Sequence, residues 1–304
     1  MNLTKKPTLV ILAAGMGSRY GGLKQMDTFT KEGDTIIDFS LYDAIKAGFG
    51  KVIFIIRKQF ETSFKSVFNK KLAGKIEVEY AYQEIDISIQ KYIHKDRVKP
   101  LGTGHALLMV KQIVKENFAI INADDFYGRD AFFTMATYLK KTNKNSFHFS
   151  MMAYALKNTI SENGAVSRGE CSVDTDNYLI DIVEIENIEK LNNELVYKEA
   201  NNKIISIDKN TIVSMNFWGF TPKYFAYVEE LFLQFLKENK QQLTAEFYLP
   251  SIVKKFITTK KGTVKVLNSN AQWFGVTYSK DKEKVQKEIE KLKEKYIYPT
   301  ELWQ

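Results

Sequence analysis

Runs of apolar residues alternate with amphipathic stretches along the first half of the chain. TLVILAA at residues 8–14 and KVIFII at residues 51–56 are continuous runs, as is typical of strands that are buried on both faces of a sheet. Between them, Ile37, Leu41 and Ile45 recur at helical spacing. This alternation of buried strands with helices predicts an α/β fold with a doubly wound, mostly parallel, Rossmann-like sheet.

The remaining elements extend this pattern and then change its character. In the first half, the sequence predicts further helices over residues 61–72 and 104–114 and strands over residues 75–83 and 118–125. Strand patterns dominate the second half, over residues 146–156, 171–188, 202–220 and 262–268, with a helix over residues 223–239. We expect one domain over residues 1–304, with a first half of about 1–150, an added mixed β region of about 151–280, and a C-terminal helix and tail of about 281–304.

The last predicted helix is amphipathic. Val285, Ile289, Leu292 and Tyr296 lie on one apolar stripe, and charged residues cover the other faces. The stripe either docks on the domain or forms a dimer seam. Its short length favours docking, because a coiled coil needs a longer stripe. Both a monomer and a homodimer are compatible with this sequence.

Composition narrows the possible partners. The chain has 304 residues, a net charge of +8 and a single cysteine, Cys171, which excludes a disulfide scaffold within the chain and a cysteine-rich metal site. Its lysines are scattered rather than clustered with aromatic residues, so we expect no nucleic-acid partner. No apolar run is long enough to cross a membrane, and we expect a cytoplasmic protein with a small anionic ligand.

A glycine-rich stretch follows the first predicted strand. In LAAGMGSRYGGLKQ, residues 12–25, Gly15 and Gly17 allow main-chain N–H groups to face a ligand, and Arg19 and Lys24 add positive charge. The stretch matches neither the phosphate-loop pattern nor the dinucleotide fingerprint. It predicts a phosphate site at the carboxyl end of the strand, and an ordinary turn is the alternative.

This stretch resembles the signature of the sugar-1-phosphate nucleotidyltransferases, a GT-A-like Rossmann family with the pattern L-A-A-G-x-G-[ST]-R…K. The resemblance implies that Arg19 holds a nucleoside triphosphate and that Lys24 contacts the phosphates of both substrates. AYQE and PLGTGHAL match the family's base-binding segments. For PLGTGHAL, the alternative is a plain helix N-terminus capped by Thr103. His105 is expected to pack at the start of this helix rather than to act as a catalyst. The implied nucleotide-binding residues are Leu12, Ala13, Ala14, Gly15, Gly17, Gln83, Gly102 and Thr103.

FAIINADDFYG, residues 118–128, resembles the family's strand that ends in a metal-binding aspartate. The resemblance implies Mg²⁺ bound by Asp124, and capping of the next helix by Asp124 or Asp125 is the alternative. Many relatives have a second metal-binding aspartate near the C-terminus, where this chain has Gly275 in AQWFGVTY. Either Asp124 holds the ion with phosphate oxygens and water, or another carboxylate substitutes.

The second half resembles the family's sugar-binding half more loosely. The implied sugar-binding residues are Gly164, Glu184 (preferred over Glu186), Asn216 and Trp218, and a place in the core is the alternative for Trp218. A lysine that binds the sugar phosphate often follows this glutamate in the family. Here Asn187 and Ile188 stand after Glu186 instead.

Taken together, the resemblance implies transfer of a nucleotide from a nucleoside triphosphate, with UTP favoured, to a sugar 1-phosphate, with release of pyrophosphate. Two alternatives stay open. The acceptor could be an alcohol phosphate such as phosphocholine, in a cytidylyltransferase, or the chain could be a sensor that binds a nucleotide sugar without turnover.

Overall fold

The strands of the first half lie side by side and run parallel. The computed structural model describes residues 6–15, 26–192, 194–199, 202–269, 271–276 and 280–304. The parallel strands, in sheet order, are β4 (Phe118–Asn122), β1 (Thr8–Leu12), β2 (Lys51–Ile56) and β3 (Glu77–Tyr82). Leu9 and Ile11 of β1 pack into the core on one side of the sheet and Val10 into the core on the other. Burial on both faces explains why these strands are continuous apolar runs.

Helices cover the two faces of the sheet. They are α1 (Ile36–Ala47), α2 (Glu61–Leu72), α3 (Ile87–Gln90), α4 (Thr103–Leu108), α5 (Arg129–Lys141), α6 (Lys223–Glu238), α7 (Leu249–Thr258) and α8 (Asp281–Glu294). The first of these has well-defined ends. Thr35 and Asp38 form a capping box at its start, and Gly48, with a φ of 87°, ends it in the left-handed region. No helix in the described part of the chain is long and apolar enough to span a membrane.

The remaining strands are mainly antiparallel, and most of them lie in the second half. These strands are β5 (Asp125–Phe126), β6 (His148–Ala155), β7 (Val166–Val173), β8 (Leu179–Leu191), β9 (Glu194–Lys198), β10 (Ile204–Ile207), β11 (Ile212–Phe220), β12 (Thr263–Asn268) and β13 (Phe274–Gly275). The sheet order is β10-β9-β8-β7-β11-β4-β1-β2-β3, with β6 between β11 and β12 and a separate β5–β13 pair. Strand β11 is antiparallel to β4 and joins the two halves. The predicted parallel sheet with an added mixed β region is confirmed.

Some predicted elements differ in extent. Helix α4 ends at Leu108 rather than near Val114, because the main chain there changes to tighter i→i−3 hydrogen bonds, such as Lys111 N to Leu108 O at 3.2 Å. The sequence prediction also missed helices α3, α5 and α7 and strands β9 and β13. The apolar residues of α7 have helical spacing and are buried, so its pattern was present but short.

The amphipathic stripe of α8 docks on the domain. Val285 and Ile289 are buried in a cluster with Phe39 and Phe126, and Leu292 packs against its edge. Tyr296 lies beyond the end of α8 and is 94% exposed, so it takes no part in the packing. Docking is therefore confirmed for the stripe except at its last residue, where the expectation for Tyr296 was wrong because the helix has already ended.

Candidate active site

The sheet divides at the carboxyl end of β4. Residues Trp218–Phe220 of β11 pair with β4, whereas Val213 and Ser214 of the same strand pair with β7. Between these two segments the pairing of β11 with β6 shifts register, and Asn216 adopts a left-handed φ of 60°. Because β4 and β7 share one edge of β11 without meeting, a cleft opens between them. Ligand sites in α/β sheets lie at such points.

A pocket of about 250 Å³ occupies this cleft. Polar side chains from four strands or strand ends converge on it. Its lining consists of Asn122, Asp124, Asp125, Ser167, Arg168, Gly169, Ile182, Glu184, Ser214, Met215, Asn216, Pro250 and Trp273. The pocket therefore contains three acidic residues and one arginine, a combination that suits a cation and a phosphorylated ligand.

Asp125 is held by residues close to it in the sequence, at the end of β4 and just after β5. The residue is 9% exposed, and its carboxylate accepts a hydrogen bond from Asn122 Nδ2 at 2.9 Å. The Tyr127 hydroxyl lies 3.2 Å from this carboxylate and 2.8 Å from Met215 O. Burial raises the pKa of Tyr127, so this phenol remains an O–H donor. Asp124 is half-buried and lines the same pocket. Neither aspartate caps α5, whose N-cap is Gly128 without a side-chain hydrogen bond, so the helix-capping alternative is wrong.

Gly275 pairs directly with Asp125 between strands β13 and β5. A Cβ atom at position 275 would lie 2.6 Å from Asp125 Oδ1 and 2.9 Å from the ring of Trp273. No side chain fits there while the Asp125 carboxylate keeps this position. The Asp125 carboxylate thus occupies the space beside position 275.

Arg168 is the cation of the pocket that the sequence prediction missed. It is 9% exposed, and its guanidinium lies over the ring of Trp273 at 4.9 Å from the ring centroid. Burial lowers the pKa of Arg168 to about 10, and the charges of Asp125 and Glu184 oppose this shift. The group therefore stays charged at neutral pH. The available signal was the position of Arg168 two residues after the buried Val166, which places both side chains on one face of β7.

The profile of the nucleotidyl transferase family matches residues 8–290, which is most of the chain. The chain belongs to the nucleotidyl transferase family. Among curated proteins, none matches the sequence.

Solved structures of nucleotidyl transferases share the fold at low sequence identity. An inositol-1-phosphate CTP transferase from T. maritima is 17% identical, covers 95% of this chain and 97% of its own, and has a TM-score of 0.64. A UDP-glucose pyrophosphorylase complexed with UDP-glucose is 16% identical, covers 94% and 99%, and has a TM-score of 0.58. A chain from Bacillus anthracis described as a glucose-1-phosphate thymidylyltransferase is 14% identical, covers 92% and 94%, and has a TM-score of 0.61.

The start of the nucleotidyl transferase signature lies beside the aspartates. Leu12, at the end of β1, pairs with Asn122, and Ala123 N donates to Leu12 O at 3.2 Å. Ala13 and Ala14 are buried, and Gly15 is exposed, with open space where a Cβ atom would lie. The loop therefore leaves the sheet one strand spacing, about 4.8 Å, from the segment that carries Asp124. Gly17, Arg19 and Lys24 lie outside the described residues.

The residues assigned to the base form a second group. Gln83 Nε2 donates to Gly102 O at 3.0 Å, so the structure brings these two together. Gly102 has a φ of 95°, and a Cβ atom there would lie 2.8 Å from Phe247 N, so only glycine fits. Thr103 does not cap α4. Its hydroxyl instead accepts a hydrogen bond from Leu249 N at 3.0 Å, at the first residue of α7.

The residues assigned to the sugar do not all reach the pocket. Glu184 and Asn216 line it, whereas Glu186, Gly164 and Trp218 are not part of its lining. Trp218 is fully buried, and its indole Nε1 donates to Asn216 Oδ1 at 3.3 Å. The core alternative describes its position, with an indirect contact to the site through Asn216.

Proposed function

We propose that this chain is a Mg²⁺-dependent nucleotidyltransferase that joins a nucleoside triphosphate, UTP by preference, to a sugar 1-phosphate. The observation that carries the proposal is the pairing of Leu12 with Asn122. It brings the start of the glycine-rich loop and the two aspartates to one edge of the sheet. Glu184 and Asn216 lie in the same pocket as these aspartates, where hydroxyl groups of a sugar need hydrogen-bond partners.

The reaction needs charge neutralisation rather than a general base. A phosphate oxygen of the acceptor attacks the α-phosphorus, a new P–O bond forms, and the bond to the β-phosphate breaks to release pyrophosphate. The attacking oxygen is already anionic at neutral pH, so no residue has to remove a proton. Positioning of the two substrates and stabilisation of negative charge would supply the rate enhancement. In this proposal Arg19, Lys24 and the loop N–H groups bind the phosphates.

The carboxylates at the end of β4 fit Mg²⁺ when phosphate and water complete its coordination. Asp124 and Asp125 line the pocket and would supply oxygen ligands, and Mg²⁺ commonly takes few protein ligands. Within the described residues no group of three or more carboxylate, histidine or cysteine side chains could hold a metal on its own. Bound Mg²⁺ would stabilise the negative charge on the α-phosphate. The hydrogen bond from Asn122 would hold Asp125 in place for this role.

A pyrophosphate-release screen tests the proposal. Four nucleoside triphosphates are combined with hexose 1-phosphates, hexosamine 1-phosphates, phosphocholine and inositol 1-phosphate, each with and without Mg²⁺. We expect Mg²⁺-dependent release with UTP and a sugar 1-phosphate. Release with CTP and an alcohol phosphate would instead support the cytidylyltransferase alternative. Binding of a nucleotide sugar without any release would support the sensor alternative.

A further inference from the structure

A second cavity lies between α2 and the segment that follows the glycine-rich stretch. It has a volume of about 550 Å³, within the range of about 300–1,000 Å³ that is usual for small-molecule sites. None of its lining residues lines the pocket at the end of β4. We call it the α2 cavity, and its charged and hydroxyl side chains are those of Thr28, Thr35, Ser66, Lys70, Lys71 and Lys75.

The α2 cavity carries an excess of positive charge. Three lysines line it, and no carboxylate belongs to its described lining. Lys71 is compensated, because its Nζ lies 2.7 Å from Oδ2 of Asp38. Lys70 and Lys75 are exposed, and neither forms an ion pair with a carboxylate in the described part of the chain. The cavity therefore attracts an anion.

Other lysines close to α2 differ from these two, because they are paired. Lys58 and Lys65 each lie 2.5 Å from an oxygen of Glu61. They also stand outside the described lining of the cavity. The two uncompensated charges thus belong to one cavity rather than to the whole surface of the helix. Like charges repel each other, and an anion bound in the cavity would relieve this repulsion.

A buried carboxylate holds one side of the cavity in place. The side chain of Asp38 is fully buried and accepts hydrogen bonds from Lys71 Nζ at 2.7 Å and from Trp303 Nε1 at 2.9 Å. It also accepts one from Thr35 N at 2.7 Å. Lys71, Trp303 and Thr35 all line the cavity, so one buried group fixes three of its lining residues. Side chains that are fixed in advance lose little rotamer entropy when a ligand binds.

Trp303 adds an aromatic surface to this cavity. It is half-buried, whereas Trp218 and Trp273 are 0% and 6% exposed. Small-molecule sites typically combine aromatic side chains with a few polar groups, and here Thr28 and Ser66 add hydroxyl groups to the lysines. Ammonium groups bind phosphate, and an indole ring offers a planar apolar surface to the rest of a ligand.

We propose that the α2 cavity binds a phosphorylated small molecule, whose phosphate is held by Lys70 and Lys75 and whose sugar or base packs on Trp303. This site gives the protein a second ligand, apart from those of the pocket at the end of β4. It does not depend on the proposed function, because none of its residues has a role in that reaction. A sugar phosphate and a nucleotide share this chemistry, and binding measurements distinguish them.

Calorimetry tests the site. Glucose 6-phosphate, AMP and unphosphorylated glucose are titrated into the full-length chain and into the double variant Lys70→Ala/Lys75→Ala. We expect one of the two phosphate esters to bind more tightly, which identifies the class of ligand, and glucose not to bind. The double variant should raise the Kd of that ester about 10-fold or more, because charge-assisted hydrogen bonds are lost. Absence of binding by both esters, or equal Kd values in wild type and variant, would overturn the proposal.

Lys58→Ala/Lys65→Ala is the matched control. It removes the same number of positive charges from α2 and the turn before it, but outside the described lining of the cavity. We expect the Kd to change less than about two-fold in this variant. Lys70 and Lys75 are exposed, so both double variants should keep the wild-type melting temperature. An equal loss of affinity in the two double variants would show a response to overall charge and overturn the proposal.

Tryptophan fluorescence gives a second measurement that does not use the lysines. Because Trp218 and Trp273 are buried, we expect the phosphate ester to change the emission of Trp303. The change should be absent in Trp303→Phe. The same emission change in Trp303→Phe would place the ligand elsewhere and contradict the site. Inorganic phosphate should bind more weakly than the ester, and equally tight binding would contradict the contact with Trp303.

Discussion

Asp125 and Gly275 depend on each other through a single strand contact. A Cβ atom at position 275 would lie 2.6 Å from Asp125 Oδ1 and 3.0 Å or less from two ring atoms of Trp273. Asp125 cannot move aside freely, because its carboxylate accepts a hydrogen bond from Asn122 Nδ2 at 2.9 Å. The glycine at position 275 therefore leaves room for the buried Asp125 carboxylate after β4.

Replacement of Gly275 by alanine tests this dependence. We expect Gly275→Ala to lower the free energy of unfolding by about 1–3 kcal/mol, since the added methyl group overpacks the contact. Asp125→Ala should also destabilise, because it leaves the Asn122 amide without its acceptor. Urea denaturation of both single variants and the double variant is the measurement. The double variant should cost less than the sum of the two, and strict additivity would show that the residues do not compete for space.

His105 gives a second expectation at the scale of one residue. Its ring is buried on α4 and stacks on Phe232 at 5.2 Å, and neither ring nitrogen has a hydrogen-bond partner among the described residues. Burial, with the nearby charge of Arg97, lowers the pKa of His105 to about 4. The position agrees with the expectation that this histidine packs rather than catalyses.

The low pKa of His105 makes stability depend on pH. Between pH 6.5 and about 4 the unfolded chain binds a proton at His105 and the folded chain does not, so stability falls as the pH falls through this range. We expect a loss of about 2 kcal/mol between pH 7 and pH 5 from this group. In His105→Met that component should be absent. Denaturant titrations at both pH values measure it, and identical pH dependence in variant and wild type would refute the assignment.

At the scale of elements, α8 packs against the strand pair that carries Asp125 and Gly275. Its residues Val285 and Ile289 pack in one cluster with Phe126 of β5. Phe126 stacks on Phe274 of β13, with ring centroids 4.2 Å apart. Asp125 and Gly275 form the neighbouring residue pair between the same two strands. The docked helix thus stabilises the strand contact that places the Asp125 carboxylate.

Truncation of the docked face should destabilise the domain. We expect Ile289→Ala to lower the free energy of unfolding by about 2–4 kcal/mol, because a buried side chain is lost from a packed cluster. Tyr296→Ala is the control on the same predicted stripe, and its exposed side chain should change stability by less than about 0.5 kcal/mol. Urea denaturation measures both. An unchanged free energy of unfolding for Ile289→Ala would contradict the docked position of this side chain.

At the scale of the whole molecule, local patterns predicted the first half of the fold well. Strands β1, β2 and β4 are buried on both faces, as their continuous apolar runs predict. The loop after β1 and the aspartates after β4 follow from the same rule, because parallel strands end at one edge. The burial of these strands and the position of their ends depend on residues that are close in sequence or on a general property of the sheet.

The rest depends on pairings between residues that are far apart in the chain. Arg168 lies opposite Ile185 only because of the register of β7 on β8, and Asp125 faces Gly275 only through the β5–β13 pair. A sequence pattern cannot give these registers, since a shift of one residue would turn each side chain to the other face. Trp218 illustrates the same limit, because its place in the core rather than the pocket follows from the register of β11 on β4.

In the proposed mechanism, the loop after β1 and the carboxylates after β4 bind one nucleoside triphosphate together. A double-mutant cycle on UTP binding with Mg²⁺, measured by calorimetry for Lys24→Ala, Asp124→Asn and the double variant, tests this directly. We predict that each variant weakens binding and that the double variant departs from additivity by about 1 kcal/mol or more, because both residues act on one ligand. Additivity within about 0.5 kcal/mol would place the two residues at separate sites and contradict the account.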